Sequence, residues 1–305
     1  MDVENYRLGN VLRWLTEHRG MPVELCCSEQ HVADAAPAEP AGVTASGGPF
    51  VRVTTDGCLA LTPSWLAVDL AIAAEAEVVV RLCPAAARTV WDRVAGITAG
   101  RVRPGALVGE PAAVVHLSHP PVSRRGILRP LADKPVVPHD SDDPQERLVE
   151  SLRLLGVGDA PGRAPGLALA VSGCIACGVC VRACPHDALE LGTAGTRSTL
   201  VQHPDRCQAE QACVAACPET AISVTGHHDW ATVLAGRAVP LARVATTACE
   251  KCHAAIPHGW TMCEACARRT EDPFGWHVPD HLVDKLPARL RDRLAGSTRE
   301  GERHE

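Results

Sequence analysis

Large aromatic side chains are scarce in this chain of 305 residues, which holds two Phe and one Tyr beside six Trp. Any core must therefore be packed with the abundant small aliphatics. A field of one charge is missing too: 30 basic and 36 acidic side chains are interspersed, for a formal net charge of −6. That balance removes the basic face on which nucleic-acid binding depends. No apolar run is long enough to span a bilayer, and the most apolar stretch, residues 65–80, is broken by Asp69, Glu75 and Glu77. The opening segment MDVENYRLGNVLRWLTEHRG reads as an amphipathic polar helix without an apolar signal core, and no hydrophobic segment follows the Arg124-Arg125 pair. A cytoplasmic protein is expected. There is no P-loop, nucleophile elbow or H-E-x-x-H, and no G-x-G-x-x-G follows the first strand. No residue set points to bond-making catalysis, nicotinamide or flavin.

Cysteine is what the chain has, 15 in all, grouped with two-residue gaps. In a reducing compartment such spacing reads as metal ligation rather than a disulfide framework. Residues 22–118 alternate β-rich runs with helical patterns: PVELCC, PFVRVTT, a helix over 62–76, EVVVRLC, a helix over 86–97, then AAVVHLSH. Strands separated by helices predict a parallel α/β sheet. From 120 to 166 the text is rich in Pro, Asp and Arg around one helical piece, DPQERLVESLRLLG.

Cys174, Cys177, Cys180 and Cys184, followed by Pro185, form C-x2-C-x2-C-x3-C-P, the run of bacterial [4Fe–4S] proteins. A tight loop with two-residue gaps aims three thiolates at three corners of one cube. The fourth Cys then opens a helix that Pro starts well, because its missing N–H would be unpaired there anyway. The run that starts at Cys174 recurs from Cys207, CIACGVCVRACPHDALEL against CQAEQACVAACPETAISV. A duplicated unit is the economical reading.

Over residues 170–226 this pattern resembles the two-cluster bacterial ferredoxins. The resemblance implies two βαβ-like halves in which the fourth Cys of each run crosses to the other cluster. Carried over, a [4Fe–4S] cluster takes Cys174, Cys177, Cys180 and Cys217, and a second cluster takes Cys207, Cys213 and Cys184. Glu210 stands where the first half has Cys177, so the second set is one thiolate short. Two readings stay open: a [3Fe–4S] cluster on three thiolates, or a second [4Fe–4S] cluster with Glu210 as a hard ligand. The preference of clusters for soft thiolates favours three irons. A decayed, empty second half would leave Cys207, Cys213 and Cys217 idle at cluster spacing.

Cys249-x2-Cys252, ten residues, then Cys263-x2-Cys266 reads as a small zinc-ribbon-like knot, with His253 and His258 as spare donors. The same four thiolates suit a third iron–sulfur cluster. In the N-terminal segment Cys26-Cys27, Cys58 and Cys83 fall at the ends of predicted strands, and His116 with His119 closes the next. In open parallel sheets those ends converge on the ligand crevice. The succession LCCSEQ, then VRVTTDGCLALTPSWLAVDLAIAAEAEVVVRLCPAA, is similar to the iron–sulfur delta subunit of methyl-viologen-reducing hydrogenases, over residues 21–95. That family carries a C-x2-C where this chain has an adjacent pair, a poor chelate for one metal. The resemblance implies an electron relay between hydrogenase and heterodisulfide reductase. Buried apolar thiols, a [2Fe–2S] cluster, and a redox-active or zinc site are the readings for these Cys.

The expected organisation is multidomain, α/β and α+β: a parallel α/β domain at 1–118, a linker with a short helix at 119–166, a ferredoxin-like dicluster domain at 167–228, the four-Cys knot at 229–272, and an amphipathic helix and tail at 273–305. The expected function is iron–sulfur electron transfer, relaying single electrons between a redox enzyme of hydrogenase or reductase type and an acceptor. Such a chain is not catalytic alone but serves as an electron-carrier subunit of an oxidoreductase complex, with a redox protein as partner, no nucleic acid and no membrane span. The alternative is a metal-dependent scaffold or a redox or oxygen sensor.

Overall fold

Runs of branched aliphatics separated by helical segments build a parallel sheet. The computed structural model describes residues 3–28, 48–120, 136–139 and 141–271; the tail helix expected through Leu282, Leu286, Leu290 and Leu294 lies outside the described residues. Five strands, β1 (Val23–Cys27), β2 (Val51–Thr55), β3 (Val78–Val80), β4 (Val102–Pro104) and β5 (Ala113–His116), stand in the order β4-β3-β1-β2-β5. Every pairing is parallel. β1 and β3 are buried throughout, as a sheet with both faces covered requires.

Because successive side chains alternate, the two faces differ. Val23, Leu25, Cys27, Val51, Val53, Val78 and Val80 join the main core with Leu15 and Trp91. The other face carries Val79, which meets Phe50 and Leu107, and the buried Glu24, whose carboxylate accepts from Arg52 Nε at 2.7 Å and from the Leu107 amide at 3.0 Å. Helix α1 (Val3–Thr16) and helix α2 (Ser64–Ala74) pack on each other. α2 reads SWLAVDLAIAA and is buried over most of its length, the pattern of a helix inside a layer. Helix α3 (Arg88–Ile97) packs beside β4. β1 lies between β2 and β3, so the chain reverses direction across the sheet there, and such a switch point opens a crevice at the carboxyl ends of the strands.

Helix α4 (Pro144–Leu154) begins at Asp143, whose carboxylate accepts from the amides of Gln145 and Glu146, with Pro suited to the first turn. Its Val149 and Leu152 enter the main core. The carboxylate of Asp69, fully buried in α2, would be costly unpaired. It accepts from Ser151 Oγ at 2.6 Å and meets His139 Nε2 at 2.8 Å, while His139 Nδ1 lies 3.0 Å from Glu150.

Next come β6 (Arg163–Val171), α5 (Val179–Ala183) and β7 (Leu189–Ala194), then β8 (Arg197–Gln202), α6 (Ala212–Ala215) and β9 (Ile222–Asp229). The constant offset of the sequence repeat reappears: α5 and α6 start at 179 and 212, β7 and β9 at 189 and 222. β6 runs antiparallel to β9 and β7 lies beside β8, so each β-α-β half pairs its strands with those of the other half. Helix α7 (Trp230–Ala235) follows, capped by the Asp229 carboxylate on the Thr232 amide at 2.7 Å.

Among the described residues, those up to 174 with 178–192 and 199–243 form one compact unit; a second consists of residues 175–177, 193–198 and 244–271. In the second, the end of β10 (Val239–Ala248) pairs antiparallel with β11 (Ala255–Pro257), ahead of helix α8 (Glu264–Glu271). Among the described residues no helix is long and apolar enough to cross a membrane.

Candidate metal centres

The two Cys loops share an unusual backbone. Ala176, Gly178 and Asp187 have φ of 57°, 69° and 49°; Ala209, Gln211 and Thr220, their counterparts in the second run, have 64°, 60° and 47°. Five of these six are not glycine, and left-handed backbone costs an L-residue about 1–2 kcal/mol. Strain of this kind persists where surroundings over-determine it. The half that lacks a Cys keeps it in full.

Burial raises the pKa of the Cys213 thiol, and the neighbouring Cys184 and Cys207 thiols raise it further. Thus Cys184 of the first run is near enough to Cys213 of the second to act on its charge. Glu210, the counterpart of Cys177, is exposed, and its carboxylate meets His186 Nε2 at 3.2 Å. Cys177 is exposed as well. Around the loops, Cys180 and the flanks of Cys174, Cys213 and Cys217 border an apolar cluster of Leu189, Leu200 and Ile222, which keeps water from sulfur. The Ala221 amide donates to Cys217 Sγ at 3.3 Å, a contact of the kind that tunes cluster potentials.

Cys207 is held from three sides. Its amide donates to the Pro204 carbonyl at 3.4 Å, its own carbonyl accepts from Gln145 Nε2 at 3.0 Å, and the next residue, Gln208, donates to Asp143. The Asp143 carboxyl sits below its ordinary pKa: burial works against this, but the Glu146 amide, Gln208 and the Gln145 amide outweigh it. β6 passes so close that a Cβ on Gly166 would lie 2.5 Å from the Pro204 oxygen. No sequence pattern announces Gly166, Gln145 or His186 as parts of this site; each acts across a tertiary contact.

In the second unit the sulfurs of Cys249, Cys252, Cys263 and Cys266 all lie within 4.8 Å of one another, with Cys252 and Cys263 at 3.6 Å. Tetrahedral zinc with Zn–S of about 2.3 Å sets its sulfurs about 3.8 Å apart, so the four fit a single ion. A cubane would hold them at separate corners. The amides of Cys263 and Cys266 donate to Cys249 Sγ and Cys263 Sγ at 3.3 and 3.4 Å. Amides of Cys252 and Cys263 bring the Cys249 thiol down to about 6, while the Cys263 and Cys252 thiols push Cys266 up to about 12. Neither His253 nor His258 joins the set.

On the sheet, Cys27, Cys58 and Cys83 also bring their sulfurs within 4.8 Å of one another, Cys58 and Cys83 at 3.3 Å. Burial pushes the Cys27 thiol up to about 12. For Cys83 burial acts in the same direction, yet Cys58, Cys27 and the amides of Ala86 and Ala85 outweigh it and lower the pKa. Cys26 is buried but outside the main core that Cys27 joins, because adjacent strand residues face opposite ways. Its register partner Thr54 binds His116 Nδ1 through Oγ1, 2.5 Å apart, which places His116 on that other face. His119 pairs with Ser118.

Comparison with known proteins meets the chain at the duplicated runs. Residues 173–221 match the family described as the 4Fe–4S dicluster domain. A ferredoxin of Pyrobaculum islandicum is 50% identical over 50 residues, which make up 16% of this chain and 44% of that protein. The chain therefore spans less than half the length of this relative. With the repeated loops and exchanged strands, the match shows that residues 173–221 are a 4Fe–4S dicluster domain of the ferredoxin type, an iron–sulfur module of electron transfer.

Proposed function

We propose that the chain is an electron-relay subunit working in a reducing cytoplasm, passing single electrons between a redox enzyme of hydrogenase or reductase type and an acceptor protein. In this reading Cys174, Cys177, Cys180 and Cys217 hold a [4Fe–4S] cluster, and Cys184, Cys207 and Cys213 hold a [3Fe–4S] cluster. Bound clusters supply reversible one-electron change, and the chain's residues do the rest. Leu189, Leu200 and Ile222 exclude water, and the Ala221 amide stabilises charge on Cys217 sulfur, two of the levers that set potential. One observation carries the reading: the same three left-handed positions recur in both Cys runs while Cys184 and Cys207 both act on the charge of the Cys213 thiol. The engagement of Glu210 by His186 supports the three-iron form. The knot of Cys249, Cys252, Cys263 and Cys266 holds one structural zinc ion and shapes a docking surface, and the domain boundaries follow the Cys groups as given above.

Anaerobic purification with iron, sulfide and zinc analysis and EPR is the test. About seven irons per chain are expected, four on one cluster and three on the other. Fewer than about four irons in a fully reconstituted sample, less than one cubane requires, would overturn the reading.

A further inference from the structure

Three cysteines of the parallel sheet have no place in the ferredoxin-type domain. We propose that Cys27, Cys58 and Cys83 form a mononuclear three-thiolate site for one thiophilic metal ion, zinc in the first instance, at the carboxyl edge of β1, β2 and β3. The proposal is independent of how the dicluster domain is loaded.

The topology puts the three sulfurs together. Cys27 ends β1, Cys58 follows β2 and Cys83 follows β3, and β1 lies between the other two. They sit at the switch point of the strand order, where open parallel sheets bind ligands. The mutual limit of 4.8 Å is the span of sulfurs around one ion, which for Zn–S of about 2.3 Å are about 3.8–4.0 Å apart. A two-iron cluster takes four Cys ligands. Cys26 is turned to the opposite face with Thr54 and does not join the set.

Two of the three sulfurs also receive a backbone amide. Leu59 N donates to Cys27 Sγ at 3.2 Å and Ala60 N to Cys58 Sγ at 3.4 Å, while the Ala86 amide closes a turn on the Cys83 carbonyl at 3.0 Å. The loop that carries Cys58 is a tight turn, with the Leu61 amide on the Cys58 carbonyl at 2.9 Å. In the four-Cys knot backbone amides, there of Cys263 and Cys266, likewise point at sulfur. Such donors orient thiolates for a metal, whereas thiols buried only as small apolar groups need no amide donors. Three protein ligands leave a fourth position for water or another exogenous donor, and Cys58, half-buried, marks the side from which it would enter.

The experiment uses the full chain with the knot disabled by Cys252→Ala and Cys263→Ala, purified anaerobically in the presence of Zn2+. About one zinc per chain is expected, with zinc-edge X-ray absorption showing three sulfurs near 2.3 Å and one lighter atom. Adding Cys83→Ser should lower bound zinc about tenfold or more, while adding Cys26→Ser leaves it unchanged. The iron content of the dicluster domain reports that each variant has folded. Should Cys83→Ser lose that iron, native-state alkylation of the knot-disabled parent decides: zinc must slow labelling of Cys58 about tenfold. Equal labelling with and without zinc overturns the proposal. So does a parent chain without zinc, a loss of two irons on Cys83→Ser, or a Cys58–Cys83 disulfide in place of bound metal.

Discussion

Replacing Gly166 by Ala probes the link between β6 and the loop that carries Cys207. The new Cβ would lie 2.5 Å from the Pro204 carbonyl oxygen and 3.7 Å from Cys207 Cβ. Real Cβ contacts stay beyond 3.0 Å, so the oxygen must retreat from 2.5 Å to at least that distance. The obstacle is backbone, which cannot swing aside as a long side chain can. Overpacking of this kind costs about 1–3 kcal/mol. The displaced oxygen is the acceptor of the Cys207 amide, so the cost falls on a residue proposed above to hold the second cluster. Under a chelator challenge followed by EPR, that cluster should lose iron about tenfold faster, the equivalent of roughly 1.4 kcal/mol. The [4Fe–4S] cluster should decay within about twofold of its original rate, its ligands lying outside the turn. Gly192→Ala is the control, since nothing lies within 4 Å of its added Cβ. Wild-type decay of both clusters in Gly166→Ala, with an unchanged melting temperature, would refute the reasoning.

Glu210→Cys restores the four-ligand run and should convert the second cluster to [4Fe–4S], abolishing the EPR signal of the oxidised three-iron form; an unaltered spectrum would show that position 210 does not face the cluster. Cys252→Ser should release one zinc and open the C-terminal segment to protease while leaving cluster absorbance intact, and loss of iron with zinc retained would reverse the assignment. Burial alone would lower the pKa of His139, but Asp69 and then Glu150 outweigh it and raise the pKa above 6.5. A raised folded value means that the charged His139 stabilises fully below about pH 6.5 and that this contribution is lost as pH rises through the folded value. Thermal unfolding from about pH 6 to about pH 9 should show that loss in the wild type and a flatter profile in His139→Gln.

The sequence by itself determined the iron–sulfur chemistry, because a chelating loop is local: two-residue gaps, a following Pro and a repeat at constant offset are all written along the chain. It also determined the parallel sheet, since apolar runs alternating with helical patterns admit little else. Its edge strand β4, only VRP, is too short to leave a periodic signal. Tertiary structure decided which sulfurs meet. Cys27, Cys58 and Cys83 are separated along the chain by whole strands and helices, and only the order β4-β3-β1-β2-β5 puts their strand ends side by side. The adjacent Cys26-Cys27 pair reads in the sequence as a poor chelate for one metal, and the two-residue period of a strand sends its members to opposite faces. The amide donors to sulfur, the close pass of Gly166 and the His139 bridge from α2 to α4 are likewise long-range, fixed by how packed layers bring backbone to backbone rather than by any pattern of neighbours in the chain.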